Sequence, residues 1–296
     1  MTEVFMFPGQ GTQRVGMGRE LFARFPALEQ EASEVLGYPL GRLCLVDPDR
    51  QLGNTRYTQP AIFVVNALAY RAAVADGARP DVAVGHSLGE YNALEAAGVF
   101  DFRAGLRLVA ARAEAMARVT DGGMSAVVGL SETTLRFLLI RAGFDTLDVA
   151  NLNTATQTVL AGPAADLDEA ALILEDAGAR MVRRLDVSGP FHSRYMTPAA
   201  AQLAAVVRAT EPREPRFPVI ANRSARPYRR ETAADLLREQ IDHPVRWRET
   251  IELLLDHPDP RFTELGESTL LTSMVRQIRR DRDGSAVRRP RQRVAA

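Results

Sequence analysis

The sequence predicts an α/β fold in two parts: a large domain built on a parallel sheet, and a small domain inserted into it. Two observations support this. Short apolar runs at 4–7 and 81–84 each lead into a glycine-containing loop and a helical pattern, and repeated strand, loop and helix units form parallel sheets covered by helices. After 121–123 the order changes to β-α-β-β-α-β, which is the ferredoxin-like arrangement.

The predicted elements follow in order along the chain. In the large domain, residues 1–122 and 189–279, we expect strands at 4–7, 81–84, 218–221 and 261–265. We expect helices there at 14–36, 61–75, 90–97, 102–119, 195–210 and 233–241, and another after a turn at 244–247. In the inserted domain, residues 123–188, we expect strands at 124–130, 147–152, 157–161 and 181–187, with helices between them. The Arg-rich segment 280–296 has no apolar period and predicts a mobile, basic tail.

Composition excludes several classes of function. The 296 residues carry 37 basic and 37 acidic groups, so we expect no bulk binding of nucleic acid. Every basic residue is Arg, which excludes a lysine Schiff base. The single cysteine, Cys44, allows no internal disulfide, and the absence of a Cys/His cluster predicts no metal site. We expect no cofactor.

The N-terminal segment lacks a basic stretch followed by a long apolar run, so we expect no signal peptide. No run reaches the roughly 20 apolar residues of a membrane span. We therefore expect a cytoplasmic protein that does not enter a membrane. We also expect a monomer.

A candidate nucleophile lies between the second predicted strand and its helix. Gly85-His86-Ser87-Leu88-Gly89 has the Gly-x-Ser-x-Gly pattern of a nucleophile elbow, in which a sharp turn exposes the serine hydroxyl above the sheet. The following helix places amide N–H groups beside a reacting carbonyl. This context predicts an α/β-hydrolase-like large domain, although the pattern alone also fits an ordinary strand-to-helix loop.

A nucleophilic serine needs a base, and the chain has four histidines. His86 adjoins the serine, so we expect its side chain to point away and to be structural. His243 and His257 each precede a proline and are expected in surface turns. His192 lies where the chain returns from the inserted domain, and a cleft between domains suits a catalytic base. The alternative is a surface histidine that caps the next helix.

Four motifs in fixed order point to a family. They are Phe7-Pro8-Gly9-Gln10-Gly11-Thr12-Gln13, Thr58-Gln59-Pro60-Ala61, the elbow extended to Glu90-Tyr91, and Gly189-Pro190-Phe191-His192-Ser193. Together they resemble the malonyl-CoA:acyl carrier protein transacylases and the acyltransferase domains of polyketide synthases, over about residues 5–279. Residues 187–196 are most similar to the free-standing, trans-acting acyltransferases, and the absence of a fused domain agrees with that expectation.

The resemblance implies a role for individual positions. Ser87 matches the nucleophile and His192 the general base and acid. Gln240 matches the residue whose main-chain carbonyl orients the imidazole in place of an aspartate. Gln10 and Leu88 match the residues whose backbone N–H groups form the oxyanion hole.

Two further matches concern the substrate. Arg112 matches the arginine that holds the free carboxylate of a malonyl group, because a guanidinium fits a carboxylate with two hydrogen bonds. Phe191 matches the position that limits bulk at the α-carbon and favours malonyl over methylmalonyl. Gly266-Glu267-Ser268 departs from the Gly-Pro-Gly turn of the family.

The resemblance implies transfer of malonyl from malonyl-CoA through a Ser87 ester to the phosphopantetheine thiol of an acyl carrier protein, in fatty-acid or polyketide biosynthesis. Three alternatives stay open: a hydrolase that clears stalled acyl chains from carrier proteins, a transferase of an unusual acyl group between carrier proteins, and a non-catalytic docking protein of the same fold. Arg112 argues against the hydrolase, because a neutral acyl group would leave a buried cation unpaired.

Overall fold

The computed structural model describes residues 1–288. The strands are, in chain order, β1 (Thr2–Phe7), β2 (Val82–Gly85), β3 (Gly123–Val128), β4 (Asp148–Thr154), β5 (Gln157–Gly162), β6 (Met181–Arg184), β7 (Val219–Ile220) and β8 (Pro260–Glu264). They form two sheets. One is parallel, in the order β7-β2-β1-β8, and the other is antiparallel, in the order β4-β5-β3-β6.

Helices cover both sheets. In chain order they are α1 (Arg19–Arg24), α2 (Pro26–Leu36), α3 (Leu40–Leu45), α4 (Thr55–Ala75), α5 (Gly89–Ala96), α6 (Phe102–Ala117), α7 (Glu132–Ala142), α8 (Ala164–Asp176), α9 (Thr197–Ala209), α10 (Arg230–Glu239), α11 (Trp247–Leu254) and α12 (Leu270–Arg288). Within residues 1–288, none of these helices has the length and apolar character needed to cross a bilayer.

The parallel sheet brings two loops to the same edge. In the register of β1 and β2, Val4 is paired with Val82 and Phe7 with Gly85, so both strands end side by side. The loop after β1 begins at Pro8, and the elbow follows β2 directly. The carboxyl edge of a parallel sheet is where ligands bind in such folds, and the two loops that meet there carry predicted site residues.

Both faces of the parallel sheet are buried. Successive side chains of a strand point to opposite faces, and each set packs into its own core. Phe5 and Phe7 pack into the larger core with α4, α5 and α6, whereas Val4 and Met6 pack on the opposite face. The second core contains Trp247 of α11, which is fully buried. The central strands therefore consist almost entirely of apolar residues, as expected of a parallel sheet.

The antiparallel sheet belongs to the inserted segment. The elements run β3, α7, β4, β5, α8 and β6, which is the predicted order. A separate core lies between this sheet and its two helices and contains Val127, Leu135, Leu160 and Leu167. The predicted domain boundaries, at 122/123 and 188/189, lie just outside the first and last strands of this sheet and stay predictions.

Two predicted helices have different bounds in the structure. The expected helix 14–36 is divided into α1 and α2, because Pro26 follows Phe25, which leaves the helical region at φ −128°. Conversely, α4 begins at Thr55 rather than at 61, with Asn54 as its side-chain cap, and Pro60 lies inside the helix. The sequence-based prediction is therefore wrong at both places.

The last helix extends beyond residue 279, where the predicted mobile tail begins. An apolar face that includes Leu271, Val275 and Ile278 buries α12 against the second core. Arg279 donates to the main-chain carbonyl of Pro260 at 2.8 Å, and the chain stays helical up to Arg288. The rest of the predicted tail, residues 289–296, lies outside the described residues.

Candidate active site

The elbow is a tight turn between β2 and α5. Ser87 has φ +51°, in the left-handed region that non-glycine residues rarely adopt. A Cβ atom on Gly85 would lie 1.9 Å from the carbonyl carbon of Gly89, and one on Gly89 would lie 1.9 Å from the carbonyl oxygen of Phe7. Both glycines of the motif are therefore required by close backbone contacts. This geometry is the sharp turn that a nucleophile elbow requires.

His192 contacts the elbow serine. Its Nε2 lies 2.7 Å from Ser87 Oγ, and its Nδ1 lies 2.8 Å from the main-chain carbonyl oxygen of Gln240. Since a carbonyl only accepts, Nδ1–H donates to it, and Nε2 is left to accept from the serine hydroxyl. The sequence prediction placed these three residues together, and the structure brings them together.

The electrostatic environment of His192 keeps its imidazole neutral. The side chain is buried, and burial together with the nearby Arg112 charge lowers its pKa to about 3. Desolvation disfavours the charged form, and a neighbouring cation adds to that effect. A neutral imidazole is the form that can take the proton of a hydroxyl group.

The side chain of Arg112, on α6, reaches the hydroxyl group of Ser87. Its Nη2 donates to Ser87 Oγ at 3.2 Å and to Gln240 Oε1 at 3.1 Å, and its Nη1 donates to Gln59 Oε1 at 2.6 Å. The side chain is 1% exposed, and its Nε has no hydrogen-bond partner. No ion pair among the described residues includes Arg112, so this buried cation contacts only neutral partners.

The loop after β1 packs directly on the elbow. A Cβ atom on Gly9 would lie 2.4 Å from the His86 carbonyl oxygen and 3.5 Å from the Leu88 nitrogen. Among the described residues, no acceptor is bonded to the main-chain N–H of Gln10 or to that of Leu88. The two predicted oxyanion-hole positions are therefore on adjoining loops, each with an amide that is available for hydrogen bonding.

A cavity of about 520 Å³ opens above Ser87, between the two sheets. Phe191 is 5% exposed and lines this cavity beside His192. Amide side chains from both parts of the chain share the wall, including Asn153 and Gln157 from the antiparallel sheet. Within the described residues, no group of three or more His, Cys, Asp or Glu side chains is placed to bind a metal ion.

The other histidines lie outside the Ser87–His192 pair. His86 Nε2 lies 2.9 Å from Asn153 Oδ1, so it connects the elbow to β4, and it also forms part of the cavity wall. The predicted structural role fits this contact, but the side chain is not directed away from the cavity. His243 is half-buried beside Asp242, and His257 is exposed.

Sequence reasoning missed two buried polar residues at this site. Asn222 Oδ1 accepts from the Ser87 N–H at 2.8 Å, and its Nδ2 donates to the Gly85 carbonyl at 2.7 Å. Gln59 supplies the oxygen that binds Arg112. The position of Asn222, two residues beyond β7 at the carboxyl edge of the sheet, is the signal that could have identified it.

Comparison with known families agrees with this geometry. The family model described as an acyl transferase domain matches residues 4–289, which is nearly the whole chain. The chain belongs to this family. The resemblance inferred from its motifs is thereby confirmed.

Two relatives come from polyketide biosynthesis. The malonyl CoA-acyl carrier protein transacylase BaeC of Bacillus velezensis is 42% identical over 283 residues, which cover 95% of this chain and 98% of BaeC. The polyketide biosynthesis protein ThaF of Burkholderia thailandensis is 47% identical over 283 residues. The match covers 95% of this chain but only 24% of ThaF, so the chain spans about a quarter of that relative.

Solved structures share the whole fold. A malonyl CoA-acyl carrier protein transacylase from Burkholderia pseudomallei superposes with a TM-score of 0.92 at 46% identity, covering 95% of this chain and 98% of that one. A malonyl-transacylase solved in complex with a type II polyketide synthase acyl carrier protein gives a TM-score of 0.89 at 34% identity, covering 94% and 93%. The α/β fold with one parallel and one antiparallel sheet is therefore that of known malonyl transacylases.

Proposed function

We propose that this protein is an [acyl-carrier-protein] S-malonyltransferase. It would move malonyl from malonyl-CoA through a Ser87 ester to the phosphopantetheine thiol of an acyl carrier protein, in trans, for a polyketide synthase. The observation that carries the proposal is the buried Arg112 guanidinium, 3.2 Å from Ser87 Oγ, whose hydrogen-bond partners are all neutral.

An unpaired buried cation is costly, and a substrate that supplies an anion compensates that cost. The free carboxylate of a malonyl group has this charge, and a guanidinium can bind its two oxygens in parallel. Because Arg112 adjoins Ser87 Oγ, a malonyl thioester bound through its carboxylate would place its carbonyl carbon near the nucleophile. Acetyl and other neutral acyl groups leave the cation unpaired, which favours malonyl.

In the first half-reaction, His192 Nε2 takes the hydroxyl proton as Ser87 Oγ attacks the thioester carbonyl carbon. The oxyanion that forms accepts hydrogen bonds from the main-chain N–H groups of Gln10 and Leu88. The carbon–sulfur bond then breaks, and His192 returns the proton to the sulfur of CoA. The Gln240 carbonyl holds the imidazole and stabilises the imidazolium while it carries that proton.

In the second half-reaction, CoA has left and the carrier protein supplies a thiol. His192 takes the thiol proton, and the sulfur attacks the carbonyl carbon of the malonyl-serine ester. The ester carbon–oxygen bond breaks, and the proton returns to Ser87 Oγ. Each step requires only proton transfer and stabilisation of an oxyanion, so the proposed chemistry uses no metal and no organic cofactor.

Phe191 supports unsubstituted malonyl as the substrate. Its ring is almost completely buried beside His192 and lines the cavity above Ser87. An α-methyl group on the substrate would need space near this ring. We therefore infer that methylmalonyl is disfavoured.

The names of the relatives support the proposed partner and pathway. BaeC and ThaF are named for polyketide biosynthesis, and one structural relative is in complex with an acyl carrier protein. We infer the same kind of partner here, and a monomeric enzyme acting in the cytoplasm.

We also propose that the large part of the chain is α/β-hydrolase-like and that the inserted part is ferredoxin-like.

Intact-mass measurement tests the proposal. The protein is incubated with malonyl-CoA, acetyl-CoA and methylmalonyl-CoA in parallel, and we expect a single added malonyl group from malonyl-CoA that Ser87→Ala does not acquire. Addition of a phosphopantetheinylated acyl carrier protein should then move the group to the carrier. Rapid release of free malonate without a stable adduct would instead identify a hydrolase.

A further inference from the structure

Glu90 is a buried carboxyl group that the proposed reaction does not use. It follows the elbow on α5 and is 0% exposed. Its Oε1 accepts from the Tyr228 hydroxyl at 2.7 Å and from the Asn222 main-chain N–H at 2.9 Å, and its Oε2 accepts from Gln240 Nε2 at 2.7 Å. A carboxylate is desolvated only at a large cost, so three donors from two segments of the chain indicate a specific role.

Two of these donors hold the nucleophile itself. Asn222 Oδ1 accepts from the Ser87 main-chain N–H at 2.8 Å, while Gln240 Nε2 also donates to the Ser87 carbonyl at 2.6 Å. Both main-chain groups of Ser87 are therefore bonded by residues that Glu90 holds. Ser87 has positive φ, and such strained conformations persist where surrounding contacts determine them.

The same network reaches the base. The main-chain carbonyl of Gln240 accepts from His192 Nδ1, and its side chain lies between Glu90, Ser87 and Arg112. Because Gln240 Oε1 accepts from Arg112, its amide has only one orientation that satisfies all of these bonds. Glu90 determines that orientation by accepting from Nε2.

We propose that Glu90 is a positioning residue for acyl transfer, whose carboxylate holds Gln240 and Asn222 and thereby fixes Ser87 and His192 in their reactive arrangement. It does not line the cavity above Ser87, so it acts through the residues that it binds. The inference rests on the proposed function, in which Ser87 carries the acyl group.

Protonation of Glu90 gives this role a pH dependence. Burial raises the pKa of Glu90 to about 7, against the opposing effect of its donors and of Arg112. The titratable or charged groups that face it among the described residues are Tyr228, Tyr91 and Arg112. An added proton removes an acceptor site from a carboxylate with three donors, so acylation should slow as the pH falls through about 7. His192 does not account for this change, since its pKa is lowered to about 3.

Glu90→Gln tests the link to Gln240, because a glutamine amide presents a donor where the carboxylate accepted. We expect acylation by malonyl-CoA to slow about 10- to 100-fold, as for loss of a hydrogen bond to a charged group, with KM little changed. The fall in rate below about pH 7 should disappear in this variant. Tyr228→Phe is the matched control, because it removes a Glu90 donor that does not contact Ser87.

A double-mutant cycle separates positioning from general damage to the fold. Gln240→Leu keeps the main-chain carbonyl but removes the side chain that connects Glu90 to Ser87, and it tests the same link if Glu90→Gln fails to fold. We expect the double variant to react about as slowly as the slower single variant. Additive losses, or a pH profile that is unchanged in both single variants, would overturn the proposal.

The wild-type protein in the same assay distinguishes a failure of the proposed function from a failure of the role of Glu90. If it forms no malonyl adduct on Ser87, the proposed function fails. If it forms the adduct, and Glu90→Gln forms it at the wild-type rate, only the role of Glu90 fails.

Discussion

The main-chain carbonyl of Gln240 lies 2.8 Å from Nδ1 of His192, in the place that an aspartate occupies in a Ser-His-Asp triad. A carbonyl determines the tautomer of the imidazole as an acid does, but it brings no negative charge. Burial disfavours a positive charge on His192 and the nearby Arg112 adds to that effect, so the pKa of the imidazole is lowered to about 3 although the Gln240 carbonyl opposes the shift.

This lowered pKa predicts a pH-dependent contribution to stability. The unfolded chain binds a proton on this histidine below about pH 6.5, whereas the folded protein excludes it down to about pH 3. The folded state is therefore weakened as the pH falls through that window. By about pH 4 the effect amounts to about 3 kcal/mol.

Thermal unfolding of wild type and His192→Ala between pH 7 and 4 measures this difference. We expect the wild-type protein to lose more stability than the variant on acidification. His257→Ala, at an exposed histidine, should follow the wild-type pH dependence. Parallel curves for wild type and His192→Ala would contradict the prediction.

Replacement of Arg112 should change which acyl group is accepted. Arg112→Ala removes the cation beside Ser87, and breaking a buried hydrogen-bonded charge pair costs roughly 2–5 kcal/mol. We expect a corresponding loss of kcat/KM for malonyl-CoA, with acetyl-CoA less affected or improved. Arg107→Ala, at an exposed position of the same helix, is the control. An unchanged ratio of malonyl to acetyl loading would refute the assignment.

A methyl group at Gly9 should disturb the oxyanion hole. Its Cβ would lie 2.4 Å from the His86 carbonyl oxygen, so Gly9→Ala must move the Gln10 loop away from the elbow. Loss of one oxyanion donor costs roughly 100-fold or more in kcat. Gly53→Ala is the matched control, because no heavy atom lies within 4 Å of a Cβ at that position. Steady-state kinetics with near-normal KM and reduced kcat would agree with this account.

A smaller residue at position 191 should broaden the substrate range. Phe191→Ala opens space beside His192 in the cavity wall, where we propose that an α-methyl group lacks room. A single methyl group in an apolar pocket is worth roughly 10- to 200-fold in selectivity. Competition between malonyl-CoA and methylmalonyl-CoA, read by intact mass, should shift toward methylmalonyl. Phe137→Ala, at an exposed position on α7, should leave the ratio unchanged.

The candidate nucleophile and much of the fold could be predicted from the sequence, because those signals are local. The elbow needs a strand, two glycines and a helix within a few residues, and Gly85 and Gly89 are where close backbone contacts require them. The apolar strands and the β-α-β-β-α-β order were predicted for the same reason. Element bounds were less accurate, as α4 illustrates, and α12 was not predicted, since capping and tertiary packing decide where a helix begins and ends.

The groups that surround Ser87 could not be predicted from the sequence and follow from the tertiary fold. Asn222 and Gln240 are separated from it by 135 and 153 residues, and no local pattern connects them. The parallel sheet brings these segments to one edge, where Arg112 is buried among neutral amides and Glu90 accepts from donors in two segments. A motif identifies a reactive side chain, but its charge state and orientation depend on burial and on partners that the fold supplies.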